Sequence, residues 1–388
     1  MLTDTDIAEL TEIRRELHRY PDLSGDEAAT AARIEAYLTA LAPDLIATGI
    51  GGAGIVARFD GAAPGPAVMF RAELDGLPIT EAAGKAYRSQ NEGRGHLCGH
   101  DGHMTVLLGL GRLVARRRPE RGSVMLLFQP AEENGAGAAS MLADPGFARV
   151  KPDLAFALHN MPGTPRGSAL LRGGLVNCAS VGMRVRLIGA TSHASEPEKA
   201  RSPAAAIARL IPELTALAGG APEEDDFRLV TLTHLRMGAP AFGITPGEGE
   251  LWATLRTGSD GAMAGLRAAA ARAVKDAASD SALEVQIDWH DDFAASVNHP
   301  IAAEHLARAA AQTGITVSSG GLPMRGSEDF GRFGAVAPAA MIFLGAGEDH
   351  PPLHAADYDF PDDLIAQGAH LFAAIARDLT GACGDAGE

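Results

Sequence analysis

The densest chemistry in the chain lies in eight residues, His96-Leu97-Cys98-Gly99-His100-Asp101-Gly102-His103, which set a thiol, three imidazoles and a carboxylate side by side. Thiolate, imidazole and carboxylate are the donors a divalent transition-metal site draws on, and the interspersed glycines let the backbone turn sharply enough to aim them. Thirteen histidines in 388 residues make any single one uninformative, but three within eight residues beside a cysteine point to metal binding or catalysis. Apolar residues at helical spacing follow, from Met104 to Val114, and predict a helix from near Asp101 to a point before Pro119. Cys98 and His100 then stand at its positive end, where the helix dipole should favour the thiolate form of Cys98.

Other polar clusters follow short apolar runs. Ala67–Phe70 leads into Arg71-Ala72-Glu73-Leu74-Asp75-Gly76-Leu77-Pro78, and Val124–Phe128 into Gln129-Pro130-Ala131-Glu132-Glu133. Leu154–Leu158 delivers His159-Asn160, and Met341–Leu344 is followed by a Pro-rich loop that contains His354. Continuous apolar strands alternating with helices suggest a parallel sheet buried on both faces, whose ligands gather at the carboxyl ends of the strands. In a metal hydrolase, one carboxylate of a pair such as Glu132-Glu133 can ligate while its neighbour takes a proton from water. Glu73 and Asp75 are candidates to orient ligands, and Arg71 to offset the surplus of carboxylates.

The elements that must position these groups can be read coarsely. Asp4 or Asp6 can cap a first helix with the stripe Ile7, Leu10, Ile13 and Leu17, and Ser24 with Glu27 suggests a capping box for a second helix reaching about Leu41. Strands are expected at Gly54–Phe59 and Ala67–Phe70. Between about residues 179 and 291 the texture changes. A strand at Val181–Gly189, a helix capped by Ser202, strands near Leu229–Leu235 and Glu250–Arg256, a helix over Met263–Ala277 and a strand at Leu283–Trp289 make the split βαβ order of a ferredoxin-like domain. The predicted architecture is therefore α/β. A mixed, mostly parallel sheet flanked by helices (residues 1–178 and 292–388) is interrupted by a small ferredoxin-like α+β domain (179–291).

Composition narrows the function classes. Hydrophobic residues at 46% and charged residues at 21% describe an ordinary globular chain, long enough for two domains. A formal net charge of −16 argues against nucleic acid or an anionic membrane as partner. Cys98, Cys178 and Cys383 are too few and too scattered for a disulfide framework. Residues 1–6 lack a basic or apolar leader pattern, and no run approaches the ~20 apolar residues of a membrane span, so a cytoplasmic protein is expected.

Six segments in order make the chain resemble the metal-dependent amidohydrolases of the aminoacylase/carboxypeptidase superfamily, in the branch of hippurate hydrolase and auxin-conjugate hydrolases. They are Arg71–Pro78, Cys98–His103, Phe128–Glu133, Leu158–Asn160, Gly326-Ser327-Glu328-Asp329-Phe330 and Pro352-Leu353-His354. The resemblance implies two divalent ions, zinc or manganese, held by Cys98, His100, Glu133, His159 and His354, with Glu132 as general base on a metal-bound water. It implies that His193 stabilises the oxyanion, that Arg256, Asn160 and Glu328 bind substrate, and that Asp101 and His103 support the ligands from behind. It further implies that the inserted domain serves as lid and homodimer surface, and that the substrate is an N-acyl amino acid. One departure stands out: Gly243 occupies the place where relatives carry an asparagine ahead of an Ile-Pro pair, which removes an amide donor and leaves space. A dipeptidase or deacetylase of the same superfamily, a hydrolase using Cys98 as nucleophile, and a non-catalytic small-acid-binding protein are the competing readings.

Overall fold

The computed structural model describes residues 1–224 and 226–381, so Cys383 lies outside the described residues. The chain divides into two compact units. The larger comprises residues 1–176, 297–322 and those from 329 onward; the smaller comprises 177–296 and 323–328.

The larger unit opens with α1 (Asp4–Arg19) and α2 (Ala28–Ala40), then β1 (Leu45–Ile50), β2 (Gly54–Asp60) and β3 (Ala63–Glu73). It continues through α3 (His100–Arg116), β4 (Arg121–Gln129), α4 (Gly137–Ala143), β5 (Leu154–Pro162), β6 (Ser168–Leu170) and β7 (Gly174–Asn177). The smaller unit is built from β8 (Ala179–Ile188), β9 (Ser192–His193), α5 (Ala204–Thr215), β10 (Arg228–Met237), β11 (Ile244–Thr245), β12 (Glu248–Thr257), α6 (Asp260–Asp280) and β13 (Glu284–Phe293). After β14 (Ser296–Asn298), the larger unit resumes with α7 (Pro300–Gln312), β15 (Thr316–Ser318), β16 (Ala339–Gly347) and α8 (Asp363–Thr380).

Eight strands of the larger unit form one mixed sheet in the order β1-β2-β4-β3-β5-β16-β6-β15. Its centre, β4-β3-β5-β16, is parallel throughout. These four strands are the continuous apolar runs, and they are buried along most of their length because helices cover both faces. Phe70, Phe128, Phe156, Leu108, Leu110 and Phe372 belong to a single core beneath them. β3 and β4 end on Glu73 and Gln129, and His159 lies within the second half of β5, which runs on to Pro162 rather than stopping at Leu158, so the polar clusters fall toward one rim of the sheet. In the smaller unit, β10-β12-β8-β13 make an antiparallel sheet with α5 and α6 packed against it, the ferredoxin-like arrangement.

Several local expectations are corrected. The first helix is capped by Thr3, whose hydroxyl and backbone exchange hydrogen bonds with Asp6, so Asp6 is the partner in a capping box rather than the cap. Ser24 and Glu27 make no capping box. Ser24 donates to Asp75, Glu27 accepts from the backbone of Gly25 and Ala131, and Asp22 takes the Thr30 backbone N–H instead. Pro203 is the residue preceding α5, with the Ser202 hydroxyl accepting from Ala204 N. β1 went unread because its Gly49 and polar Thr48 break the apolar run.

Candidate metal centre

Six functional candidates converge within the larger unit. Gly99 is the residue before α3, at a φ of +96°. A side chain there would collide with the Asn160 amide and the Tyr358 hydroxyl, so glycine is required both for the turn and for the close approach. That turn points Cys98 and His100 to the same place. Cys98 Sγ lies 3.5 Å from Nε2 of His159 in β5. Cys98, His100 and His159 offer three ligand atoms within 4.8 Å of one another; so do Cys98, Glu133 and His354, and so do His100, Glu132 and Glu133.

The tautomers are set from behind. His100 Nδ1 lies 2.8 Å from the Asp75 carbonyl and His159 Nδ1 2.7 Å from the Asn160 carbonyl, so each ring donates there and presents its Nε2 lone pair to the cluster. His100 Nε2 is buried with no hydrogen-bond partner among the described residues, 3.8 Å from both the Glu132 and the Glu133 carboxylate. His354 Nε2 stands 3.7 Å from Glu133. An orphaned imidazole lone pair facing two carboxylates and a thiol fits a bound cation better than any hydrogen-bonded arrangement.

Electrostatics favour the same occupant. Burial opposes charge on His100, yet Glu73, the bond to Asp75 and Glu133 outweigh it and raise its pKa to about 10. His159 goes the other way: burial first, then the nearby His103, push it down to about 3, which leaves a neutral donor. The expected thiolate at Cys98 is corrected. Burial and then Glu133, Glu132 and Glu73 drive the thiol well above its ordinary value. A cation among these groups would reverse that balance.

The supporting residues are largely committed. His103 bonds Glu73 through Nδ1 and Asn160 through Nε2, both at 2.7 Å, so neither nitrogen is left for an ion. Arg71, fully buried, donates to Gln129, Glu73 and Asp329. Asp75 accepts from Ser24 and from the Glu133 backbone, fixing the carboxylate pair. Asn160 was expected to touch substrate, but it is inaccessible, its amide engaged by His103 and Tyr358. Two of the few non-glycine residues in left-handed backbone, Ala131 at φ +50° and His354 at φ +67°, sit beside or within the cluster.

The smaller unit holds the other candidates. His193 is exposed, paired through β9 with Ile244 of β11, its Nδ1 2.6 Å from the Ser195 hydroxyl. Arg256 is bound by the Arg325 carbonyl and the Ser327 hydroxyl, and no carboxylate among the described residues pairs with it. Gly243 has open space where a side chain would project. Glu328 is buried. Sequence reasoning missed Glu27, whose carboxylate holds the Ala131 backbone beside Glu132, and Tyr358, which clamps Asn160. It also missed Arg14 and His18, whose places on the apolar stripe of α1 are the signal that could have revealed them.

Residues 69–378 match the model of peptidase family M20/M25/M40. A putative amidohydrolase, YhaA, of Bacillus subtilis (strain 168) is 28% identical over 374 residues, 95% of this chain and 94% of that one. An N-acetyldiaminopimelate deacetylase of Halalkalibacterium halodurans is 30% identical over 358 residues, 92% and 95% of the two chains. The crystal structure of YxeP of Bacillus subtilis, described as a dinuclear metal-binding M20 peptidase, superposes with a TM-score of 0.80 at 23% identity, covering 97% of this chain and 98% of the other. With a family match over most of its length, the chain belongs to peptidase family M20/M25/M40 and is a metal-dependent amidohydrolase.

Proposed function

We propose that this protein hydrolyses the amide bond of N-acyl amino acids, with Cys98, His100, Glu133, His159 and His354 as ligands of two divalent ions, zinc or manganese. The observation that carries the reading is the convergence of five donors from four parts of the chain, with the Nε2 lone pairs of two buried imidazoles turned toward it. The dinuclear description of YxeP and the deacetylase activity named for the Halalkalibacterium relative support it. When bound, the cations supply Lewis acidity, activating a water and polarising the carbonyl. Glu132, beside the ligand Glu133 and 3.8 Å from His100 Nε2, takes the proton from the attacking water and hands it to the departing amine. His193 is assigned to the developing oxyanion and Arg256, lacking a protein carboxylate, to the substrate carboxylate. Glu328 is kept as a substrate-side residue, and Asn160 acts by holding His103.

The space at Gly243 favours a substrate with a bulkier or differently charged group than relatives with asparagine accept. The smaller unit, as a lid, is also assigned a homodimer contact. Its edge strand β10 and the exposed Leu235, Met237, Phe242 and Ile244 support that role. The free thiols of Cys98 and Cys178 suit a cytoplasmic location, and no helix among the described residues is long and apolar enough to cross a membrane. A Cys98 nucleophile is disfavoured, since His159 is too weakly basic to take the proton of so reluctant a thiol.

A panel of N-acyl amino acids and free dipeptides, assayed before and after phenanthroline treatment and readdition of zinc or manganese, tests the reading. Turnover of acylated substrates only, lost on chelation and restored by metal, is the expected result. Preferential turnover of free-amine dipeptides, or full activity without metal, overturns it.

A further inference from the structure

Besides Asp6 near its start, helix α1 buries two basic side chains on its apolar stripe. Arg14 and His18 are wholly inaccessible beside Leu10 and Leu17. Arg14 reaches Asp101 at 3.2 Å and Asp359 at 2.8 Å, and its Nε lies 2.7 Å from Asp362. His18 bridges Asp101 at 2.9 Å and Glu81 at 3.0 Å. Lys85 joins Glu81 to the Tyr358 carbonyl, and the Tyr87 hydroxyl donates to Asp359. Replacing such a network by apolar residues is often neutral for stability whereas removing one partner is costly, so its members can hold in place the segments they come from.

The network fastens segments that no sheet ladder holds. Residues 80–94 contain no helix or strand, and neither does the stretch from Asp349 to Asp362. The second stretch carries His354, whose side chain is 48% exposed and whose backbone N–H reaches the Leu97 carbonyl at 2.8 Å. By contrast, His100 belongs to α3, and His159 lies in β5 opposite Phe343 of β16. His100 and His159 are therefore held by regular structure, whereas Cys98, shared by the two sets, precedes the cap of α3. His354 depends, through Asp359 and Asp362, on Arg14.

We infer that Arg14, acting through Asp359 and Asp362, is a positioning residue for His354 and so for the cation position made by Cys98, Glu133 and His354; Asp101, which Arg14 and His18 also hold, belongs to α3, whose own backbone hydrogen bonds keep His100 in place. The inference rests on the two-cation reading above. Its chemistry is indirect: Arg14 touches neither an ion nor substrate, and acts by fixing the loop that presents an imidazole.

Zinc titration calorimetry on chelator-stripped full-length protein tests it, comparing wild type, His354→Ala, Asp359→Asn and Arg14→Lys. Asp359→Asn keeps the side-chain shape at a partly exposed site, so it carries the test if Arg14→Lys does not fold. Two classes of site are expected in wild type, one of them abolished by His354→Ala. Asp359→Asn and Arg14→Lys should weaken that same class by about tenfold or more, as loss of partners behind a ligand does, and leave the other within about twofold. Equal weakening of both classes, or of neither, overturns the positioning role alone. A single equivalent in wild type, or no class removed by His354→Ala, overturns the two-cation reading and this inference with it.

Discussion

Replacing His18 with asparagine should remove a stabilisation that depends on pH in a defined direction. His18 is fully buried between Asp101 and Glu81. Burial opposes its charge, but the hydrogen bonds to Asp101 and then Glu81 prevail and raise its pKa from 6.5 to about 9. The folded protein thus binds this proton more tightly than the unfolded chain, so the contribution is complete below pH 6.5 and is lost as pH rises through about 9. At ~1.36 kcal/mol per unit the shift corresponds to roughly 3 kcal/mol. Glu81 works in the opposite sense. Burial resists ionisation, but the bond from His18 and the Ser89 backbone lower its pKa from 4.5 to about 2, so its share is present above pH 4.5 and fades in acid. The stability difference between wild type and His18→Asn should therefore be flat between pH 5 and 6.5. Urea unfolding of both proteins, stripped of metal and followed by far-UV circular dichroism, should show the difference shrinking by roughly 3 kcal/mol by pH 10. A difference that stays constant or grows over that range would refute a charged His18 in the fold.

Gly99→Ala should destabilise by about 2–4 kcal/mol, from left-handed backbone plus collision with Asn160 and Tyr358, read as a fall in thermal midpoint. Glu132→Gln should lower kcat by ~10²–10⁴ with little change in KM, while metal content by mass spectrometry stays at the wild-type level. Arg256→Met should raise KM by about ten- to a hundredfold for substrates with a free carboxylate and leave their amidated counterparts nearly unaffected, as compared by steady-state kinetics.

The strands of the central sheet were legible because burial on both faces writes itself as uninterrupted apolar runs, and the strand ends marked where Glu132-Glu133 and His159 would lie. The ferredoxin-like order was legible for a related reason, since helical and strand periods alternate cleanly from Ala179 to Phe293. The ionic state of Cys98 was not. A dipole argument considers one helix, whereas the thiol responds to burial and to three carboxylates brought from β3 and from the turn after β4. The Ser24–Glu27 box failed similarly, because both side chains had partners about 50 and 104 residues away. Arg14 and His18 occupy helix positions where the pattern asks for apolar residues, and only their tertiary partners explain the exception.

Strand β16 threads between β5 and β6, although some 170 residues and an entire second unit separate it from them. On a ribosome, β5 must wait with one flank unsatisfied for roughly ten to forty seconds at ordinary elongation rates before its neighbour exists. Such an open border invites wrong pairing, so slow folding with aggregation-exposed intermediates is the cost of this connectivity.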